Sequence, residues 1–183
     1  MEQKLKNNID LVRYCEQQLG KPYWYGTFGQ MSTMVLYNVK KKQYPKYYIA
    51  EDFQDQLGIK VHDCVGLIKG YFWCKDPEDI KPVYCSNNFP DISANSLYVY
   101  CKRRSSDIKK MPDVPGIAVF MSGHVGVYVG NGEVIEARGH AYGVVRTKLN
   151  ERPWRKWAYI EGLQYLIKKQ ENKEISGERK VER

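Results

Sequence analysis

The chain has 183 residues, of which 43% are hydrophobic and 13% aromatic, and this composition is typical of one folded domain with a substantial core. The net charge of +8 favours a polyanionic partner, namely nucleic acid, anionic lipid or an anionic wall polymer of bacteria. The sequence lacks an apolar run near the roughly 18 residues of a membrane helix, and it lacks a zinc-finger spacing or RNA-binding signature.

Helical patterns dominate the first half of the chain. Apolar residues from Ile9 to Leu19 recur at helical spacing, and Gly20 marks the end of this helix. The opening has no apolar core followed by a small-residue cleavage site, so we expect no signal peptide and synthesis in the cytoplasm. After an aromatic loop at 20–29, residues 30–50 predict two short strands around the basic sequence NVKKKQ.

Further helical segments, a connector and a loop are predicted before residue 117. The first is a short helix at 50–58 closed by Gly58, and the second is a helix that begins within VHDCVGLIKGYFW at 61–73. A turn or short helical connector follows at 76–82. The last two are a helix at 91–105, capped by Asp91 or Ser93, and a proline-rich loop at 109–116.

From residue 117 the pattern changes to short β-branched and aromatic runs separated by Gly, Asn-Gly or Pro. The sequence GNGE at 130–133 is a strong hairpin turn. We therefore predict an α+β fold in which N-terminal helices pack on a C-terminal antiparallel sheet. The predicted domain spans 1–167, and the charged composition of 168–183 predicts a disordered tail.

The five cysteines are odd in number and form no CxxC pair, which argues against a disulfide framework and against a cysteine zinc site. Most of them are expected to be reduced and inert in packing. Cys64 differs because it opens a predicted helix, where free N–H groups lower the pKa of a thiol and favour a nucleophile. The alternative is that Cys64 is a small buried hydrophobic residue.

A nucleophilic thiol needs a base, and the sequence offers His62, His124 and His140. His62 lies two residues before Cys64, so its side chain should point elsewhere. His124 begins a predicted strand directly after a Ser-Gly turn, from which it can project into a cleft beside the helix start. Taken alone, His124 is more often an ordinary edge-strand histidine.

A catalytic imidazole also needs a third group that fixes its tautomer. Counting outward from the predicted hairpin turn pairs Tyr128 with Ile135 and places Glu136 near His124. His140, further along the same strand or in its loop, is the rival third residue. The alternative role of Glu136 is an ion pair with one of two nearby arginines, Arg138 or Arg146.

Three motifs follow one another along the chain: LGKPYWYG at 19–26, DCVGLI at 63–68 and GHVGVYVGNGEVIEA at 123–137. Together they resemble the NlpC-type (NlpC/P-sixty) peptidases of bacterial cell walls, a branch of the papain-like superfamily. The resemblance covers roughly residues 8–165. The later sequences GVV and RPW also resemble lysins encoded by bacteriophages or mobile elements of Gram-positive bacteria.

The resemblance implies a cysteine endopeptidase that hydrolyses amide bonds of peptidoglycan stem peptides through a thioester, typically between D-glutamate and diaminopimelate or lysine. It implies Cys64 as nucleophile, His124 as general base and acid, and Glu136 as the third residue, without a metal or cofactor. The substrate-binding residues that we expect are Tyr23, Trp24, Asp63 and Gly123.

The chain departs from the family pattern in three ways. Val65 replaces the usual serine after the nucleophile, glutamate is a less common third residue, and the stretch between Gly26 and Asp63 is longer than in the compact form of the family. The longer stretch predicts altered access of substrate to the cleft.

Other functions stay open at this point. An N-acetylmuramoyl-L-alanine amidase or another papain-like acyl transferase would use the same residues, and a non-catalytic wall-binding module would use Cys64 only for packing. The expected partner is peptidoglycan, with anionic wall polymers attracted by the positive charge, and neither nucleic acid nor membrane insertion is expected. Because this substrate lies outside the membrane and no export signal is expected, the protein would act at the cell wall either extracellularly or in association with a phage. Release of a phage-type lysin through a separate membrane pore, or incorporation in a virion or conjugation apparatus, would reconcile these two expectations.

Overall fold

The computed structural model describes residues 5–50, 52–75 and 81–166. Within these ranges the helices precede the main sheet, as predicted, and the fold is α+β. The α-helices are α1 (Asn8–Gln17), α2 (Met34–Gln43), α3 (Cys64–Trp73) and α4 (Ala94–Tyr100). None of these helices is long and apolar enough to span a membrane. The predicted tail at 168–183 lies outside the described residues.

The strands form two antiparallel sheets. A small sheet pairs β1 (Phe28–Met31) with β2 (Lys60–His62), and the main sheet has the order β3-β8-β4-β5-β6-β7. Its strands are β3 (Arg104–Ser105), β4 (Ala118–Met121), β5 (His124–Gly130), β6 (Glu133–Gly139), β7 (Gly143–Lys148) and β8 (Lys156–Ala158).

Helix α3 lies at the centre of the molecule, and every residue from 65 to 73 is buried. The Asp63 side chain accepts a hydrogen bond from the Gly66 N–H, which fixes the start of the helix. A Cβ atom on Gly66 would lie 1.8 Å from the Thr27 carbonyl oxygen, so only glycine permits the loop before β1 to pack this closely. The helix therefore begins at one defined point against that loop.

The two faces of the main sheet pack on different cores. The face toward α1 and α3 contributes Val125, Val127 and Ile135 to the larger core. The opposite face contributes Tyr128 and Val134 to a second cluster, which also contains three aromatic residues that follow β7: Trp154, Trp157 and Tyr159. This alternation of side chains between two buried faces explains why the strands read as nearly continuous apolar runs.

The prediction of two strands at 30–50 is wrong for most of that stretch. The first strand is β1, its partner β2 comes from 60–62, and residues 34–43 between them form helix α2. The Thr33 side chain caps this helix by accepting from the Leu36 N–H, and three lysines in its last turn complement the helix dipole. The cap and the charges at the helix end therefore favour a helix more strongly than the β-branched residues of the segment favour a strand.

The hairpin at 130–133 is confirmed, with positive φ angles of 54° at Asn131 and 73° at Gly132. The predicted pairing beyond the turn is wrong by one residue, because a bulge at Val129 pairs Tyr128 with Val134 instead of Ile135. A one-residue shift moves side chains to the opposite face of a sheet. The bulge thereby places Glu136 on the same face as His124.

The remaining predictions for the first half hold in part. The segment closed by Gly58 is a short 3₁₀ helix at 52–56, and the connector at 76–82 falls largely outside the described residues. Ser93, not Asp91, caps α4, which ends at Tyr100 rather than 105. The Arg104 guanidinium donates to the Cys101 carbonyl, so the basic residues after α4 satisfy its C-terminal end.

Candidate active site

A cleft of about 520 Å³ opens between the start of α3 and the start of β5. Cys64 is the first residue of α3, and His124 is the first residue of β5. Both side chains line the cleft, although they are far apart in sequence. The structure therefore brings the predicted nucleophile and the predicted base to one cavity.

The Cys64 side chain is half-buried, and its sulfur lies 4.0 Å from the Gly123 carbonyl oxygen. Burial, and secondarily the Asp63 carboxylate, raise the pKa of this thiol to about 12, against the opposing effect of nearby backbone N–H groups. The expectation that the helix start alone lowers the pKa is therefore wrong. Desolvation outweighs the helix end here, so the thiol needs a base to lose its proton.

The His124 imidazole is held from behind by Glu136. The distance between His124 Nε2 and Glu136 Oε2 is 2.6 Å. Because Nε2 is engaged by the carboxylate, Nδ1 is the ring nitrogen left to exchange a proton with a thiol in the cleft. The imidazole also stacks on the indole of Trp154, with ring centroids 5.6 Å apart and planes 17° apart. These two contacts fix both the tautomer and the plane of the ring.

The Glu136 carboxylate is fully buried and is itself held by two further donors. Arg152 donates to both carboxylate oxygens, at 3.0 and 3.2 Å, and the Thr147 hydroxyl donates at 2.9 Å. Burial raises the pKa of Glu136, but the hydrogen bonds from His124, Arg152 and Thr147 outweigh burial and lower it overall. The carboxylate is therefore ionised behind the imidazole at neutral pH.

A tight hairpin turn positions His124. Met121 pairs with His124, so Ser122 and Gly123 form the whole turn between β4 and β5. The Gly123 N–H donates to the Asn95 side-chain oxygen at 2.9 Å, which ties this turn to α4. Gly123 itself lines the cleft.

The other two histidines lie away from this arrangement. His62 is fully buried, and its Nε2 lies 3.1 Å from the Tyr14 hydroxyl. Burial lowers the pKa of His62 to about 3, so it stays neutral. His140 packs against Phe53, with ring centroids 4.5 Å apart, whereas Glu136 lies 2.6 Å from the His124 ring nitrogen.

Arg138 and Arg146, the two predicted ion-pair partners of Glu136, contact other residues instead. Arg146 pairs with Glu133 and Glu16, and the Arg138 guanidinium lies 4.0 Å from the centre of the Tyr142 ring. The arginine that does pair with Glu136 is Arg152, which the sequence reasoning missed.

Of the other expected substrate-binding residues, Tyr23 and Asp63 border the cleft and Trp24 does not. Tyr23 lines the cleft, and Asp63 lies in its wall, where it caps α3 and accepts from the Gly26 N–H at 2.9 Å. Trp24 corrects our expectation: it is fully buried in an aromatic cluster, and its Nε1 donates to Gln56. Alternate residues of an extended segment point in opposite directions, so Tyr23 faces the cleft while Trp24 faces the interior.

Four residues of the site were missed by the sequence reasoning: Asn95, Thr147, Arg152 and Trp154. The only signal for two of them was the RPW sequence, whose Arg and Trp contact Glu136 and His124 respectively. Asn95 and Thr147 carry no local signal, because an asparagine in a helix and a threonine in a strand are ordinary residues.

The arrangement combines a thiol, an imidazole and an ionised carboxylate around one cleft, which is the residue set of nucleophilic acyl transfer. Within the described ranges, no group of His, Cys, Asp or Glu side chains is arranged to hold a metal ion. The thiol, imidazole and carboxylate together can support covalent catalysis by the thiol.

No protein-family model matches the sequence, and the comparison with curated proteins gave no match. Solved structures do match. NlpC2 of Trichomonas vaginalis aligns with a TM-score of 0.51 and 19% identity over 84% of this chain, and the peptidoglycan hydrolase RipB of Mycobacterium tuberculosis aligns with a TM-score of 0.51 and 18% identity over 86%.

The chain spans 46% of the length of the NlpC2 chain and 65% of the RipB chain. At these identities the likeness concerns the fold. The chain therefore has the papain-like α+β fold of the NlpC-type proteins.

Proposed function

We propose that this protein is a cysteine endopeptidase of peptidoglycan, which cleaves stem-peptide amide bonds between D-glutamate and diaminopimelate or lysine. The observation that carries the proposal is the opening of Cys64 and His124 onto one cleft, with Glu136 directly behind the imidazole. The fold shared with a peptidoglycan hydrolase supports the substrate class. The proposed place of action is the cell wall.

The reaction begins with Cys64 as the neutral thiol, because burial holds the pKa of this group far above neutrality. As the sulfur attacks the amide carbonyl, its proton passes to His124, and the ionised Glu136 stabilises the imidazolium that forms. The imidazolium then gives this proton to the leaving amine, which breaks the C–N bond and leaves a thioester on Cys64. Water activated by the neutral imidazole hydrolyses the thioester and restores the thiol.

The oxyanion of the tetrahedral intermediate needs hydrogen-bond donors. The Cys64 backbone N–H is one candidate, because the first N–H groups of a helix have no acceptor within the helix. Because it belongs to the residue whose sulfur attacks the carbonyl, it is close enough to donate a hydrogen bond to the oxyanion.

The first test is the variant Cys64→Ala assayed on purified peptidoglycan sacculi. We expect loss of lysis to the level of the buffer, with an unchanged circular dichroism spectrum, because the covalent intermediate cannot form. Two matched controls, Cys85→Ala at an exposed cysteine and Cys101→Ala at a buried one, should keep lysing. Clearing of sacculi by the Cys64 variant would refute the mechanism and favour a role of Cys64 in packing.

The second test identifies the bond. Mass spectrometry of the released muropeptides should find new amino termini on diaminopimelate or lysine. New amino termini on L-alanine would instead identify an N-acetylmuramoyl-L-alanine amidase, which uses the same three residues.

A further inference from the structure

Helix α2 forms one wall of the cleft, and it belongs to the stretch that is longer than in the compact form of the family. Its last turn and the residues that follow contribute Lys40, Tyr44 and Tyr47 to the cleft lining. The rest of the helix is largely solvent-exposed, with Val35 74% exposed. Leu36 and Tyr37 pack one side of the helix on the aromatic cluster around Trp24, and the end of the helix borders the cleft.

The Lys40 ammonium lies close to the start of the catalytic helix. A Cβ atom built on Gly26 would be 3.5 Å from Lys40 Nζ, and the Gly26 N–H donates to the Asp63 side chain that precedes Cys64. The ammonium also lies 5.8 Å from the centre of the Tyr44 ring. These contacts place a cation in the wall of the cleft beside the residues that hold α3.

Lys40 has no ion-pair partner among the described residues. The cleft has two carboxylates, and both are engaged: Asp63 accepts from two backbone N–H groups, and Asp91 pairs with Lys69 and accepts from the Tyr84 hydroxyl at 2.7 Å. Partial burial, meanwhile, lowers the pKa of Lys40. Asp63 and Asp91 lie near enough to raise the pKa of Lys40 in part, but neither carboxylate contacts the ammonium, so its N–H groups can bind an anion.

The tyrosines around Lys40 form a rigid surface. The rings of Tyr25 and Tyr47 stack face to face, with centroids 3.8 Å apart and planes 7° apart, and Tyr44 packs against Tyr25 at 5.0 Å. An ion pair beside such a wall is less screened by water than one on an open surface. A ligand carboxylate at Lys40 would therefore gain more than a surface contact provides.

We propose that Lys40 binds a carboxylate of the substrate and makes the enzyme prefer stem peptides in which the α-carboxylate of D-glutamate is free rather than amidated. The inference rests on the proposed function, since this carboxylate belongs to the residue that carries the scissile carbonyl. Lys40 is then a specificity residue supplied by α2, and the catalytic groups Cys64 and His124 act on either form of the substrate.

The test measures kcat and KM for two synthetic peptides, L-Ala-γ-D-Glu-L-Lys-D-Ala and the same peptide with the D-glutamate α-carboxylate converted to the amide. The proteins are the wild type, Lys40→Met, Lys40→Arg and the control Lys42→Met, which changes an exposed lysine of the same helix turn. For Lys40→Met we expect KM for the carboxylate peptide to rise about tenfold or more, with kcat changed less than about twofold. The amide peptide should be unaffected, and Lys40→Arg should keep most of the preference.

Three outcomes contradict the inference. If Lys40→Met raises KM for both peptides equally, the residue shapes the cleft without reading the carboxylate. If the wild type cleaves both peptides with equal KM, the preference does not exist, although the proposed function stands. If the wild type releases no amino terminus from either peptide or from the corresponding diaminopimelate peptides, the proposed function fails, and this inference fails with it.

Discussion

At the scale of single residues, the site depends on a buried carboxylate with three partners. Glu136 receives hydrogen bonds from His124, Thr147 and Arg152, and its burial is compensated because each oxygen is satisfied. Arg152 thus supplies the permanent positive charge that keeps Glu136 ionised when His124 is neutral. The sequence pointed to Glu136, but the residue that makes a buried glutamate tolerable was found only in the fold.

The variant Glu136→Gln tests this network through stability and pH. At pH 7 we expect the free energy of unfolding to fall by about 2 kcal/mol or more, because Arg152 loses a charged partner in a buried position. The folded-state pKa of Glu136 is lowered from 4.5, so its contribution is complete above that value and disappears as the pH falls through the folded pKa.

Urea unfolding of both proteins between pH 7 and pH 3 measures the effect. The difference between wild type and Glu136→Gln should be largest at pH 7 and should shrink below about pH 4.5. A difference that stays constant down to pH 3 would mean that the carboxylate charge does not stabilise the fold.

The variant His124→Ala removes the base and so tests whether burial or the helix start controls the pKa of the Cys64 thiol. If burial controls the thiol, its alkylation rate with iodoacetamide should still be rising at pH 10, because the pKa is raised to about 12. A rate that levels off below pH 8.5, the region of a free thiol, would mean that the helix start alone is enough to form the thiolate. Cys85, which is exposed, serves as the internal reference for reagent reactivity.

At the scale of elements, the ends of α3 and β5 place the two reacting groups, and close packing fixes both ends. Gly66 lets the loop before β1 contact α3, and Gly126 leaves room for Trp154, whose ring atoms would lie 3.0 Å from a Cβ at that position. Trp154 in turn stacks on His124. The geometry of the site is therefore set by backbone and aromatic packing rather than by the site residues alone.

The variant Gly66→Ala tests this packing. In an open helix the change would stabilise the protein by up to about 1 kcal/mol. Here the new methyl group would lie 1.8 Å from the Thr27 carbonyl oxygen, so we expect destabilisation by about 1–3 kcal/mol and reduced activity. Urea unfolding and sacculus lysis are the two measurements, and the exposed change Asn38→Ala in α2 is the control. Unchanged stability of Gly66→Ala would mean that the loop moves without cost.

At the scale of the whole molecule, the net charge of +8 suits a negatively charged cell wall. We expect binding of the Cys64→Ala protein to sacculi to weaken several-fold as sodium chloride rises from about 0.05 to 0.5 M, because salt screens exposed charges. A pull-down at each salt concentration measures the bound fraction. If binding does not change with salt concentration, the positive charge does not hold the protein on the cell wall.

The sequence by itself determined the α+β class, the hairpin at 130–133 and the candidates Cys64, His124 and Glu136, because periodicity, turn residues and ordered motifs are local signals. It did not reveal helix α2, whose cap at Thr33 and terminal lysines outweighed the strand pattern.

Only the tertiary structure decided the rest. The bulge at Val129 turned Glu136 toward His124, burial raised the pKa of Cys64, and Arg152 and Trp154 came to the site from beyond the hairpin. Register, desolvation and long-range contacts depend on how distant segments pack, and no short window of sequence contains that information.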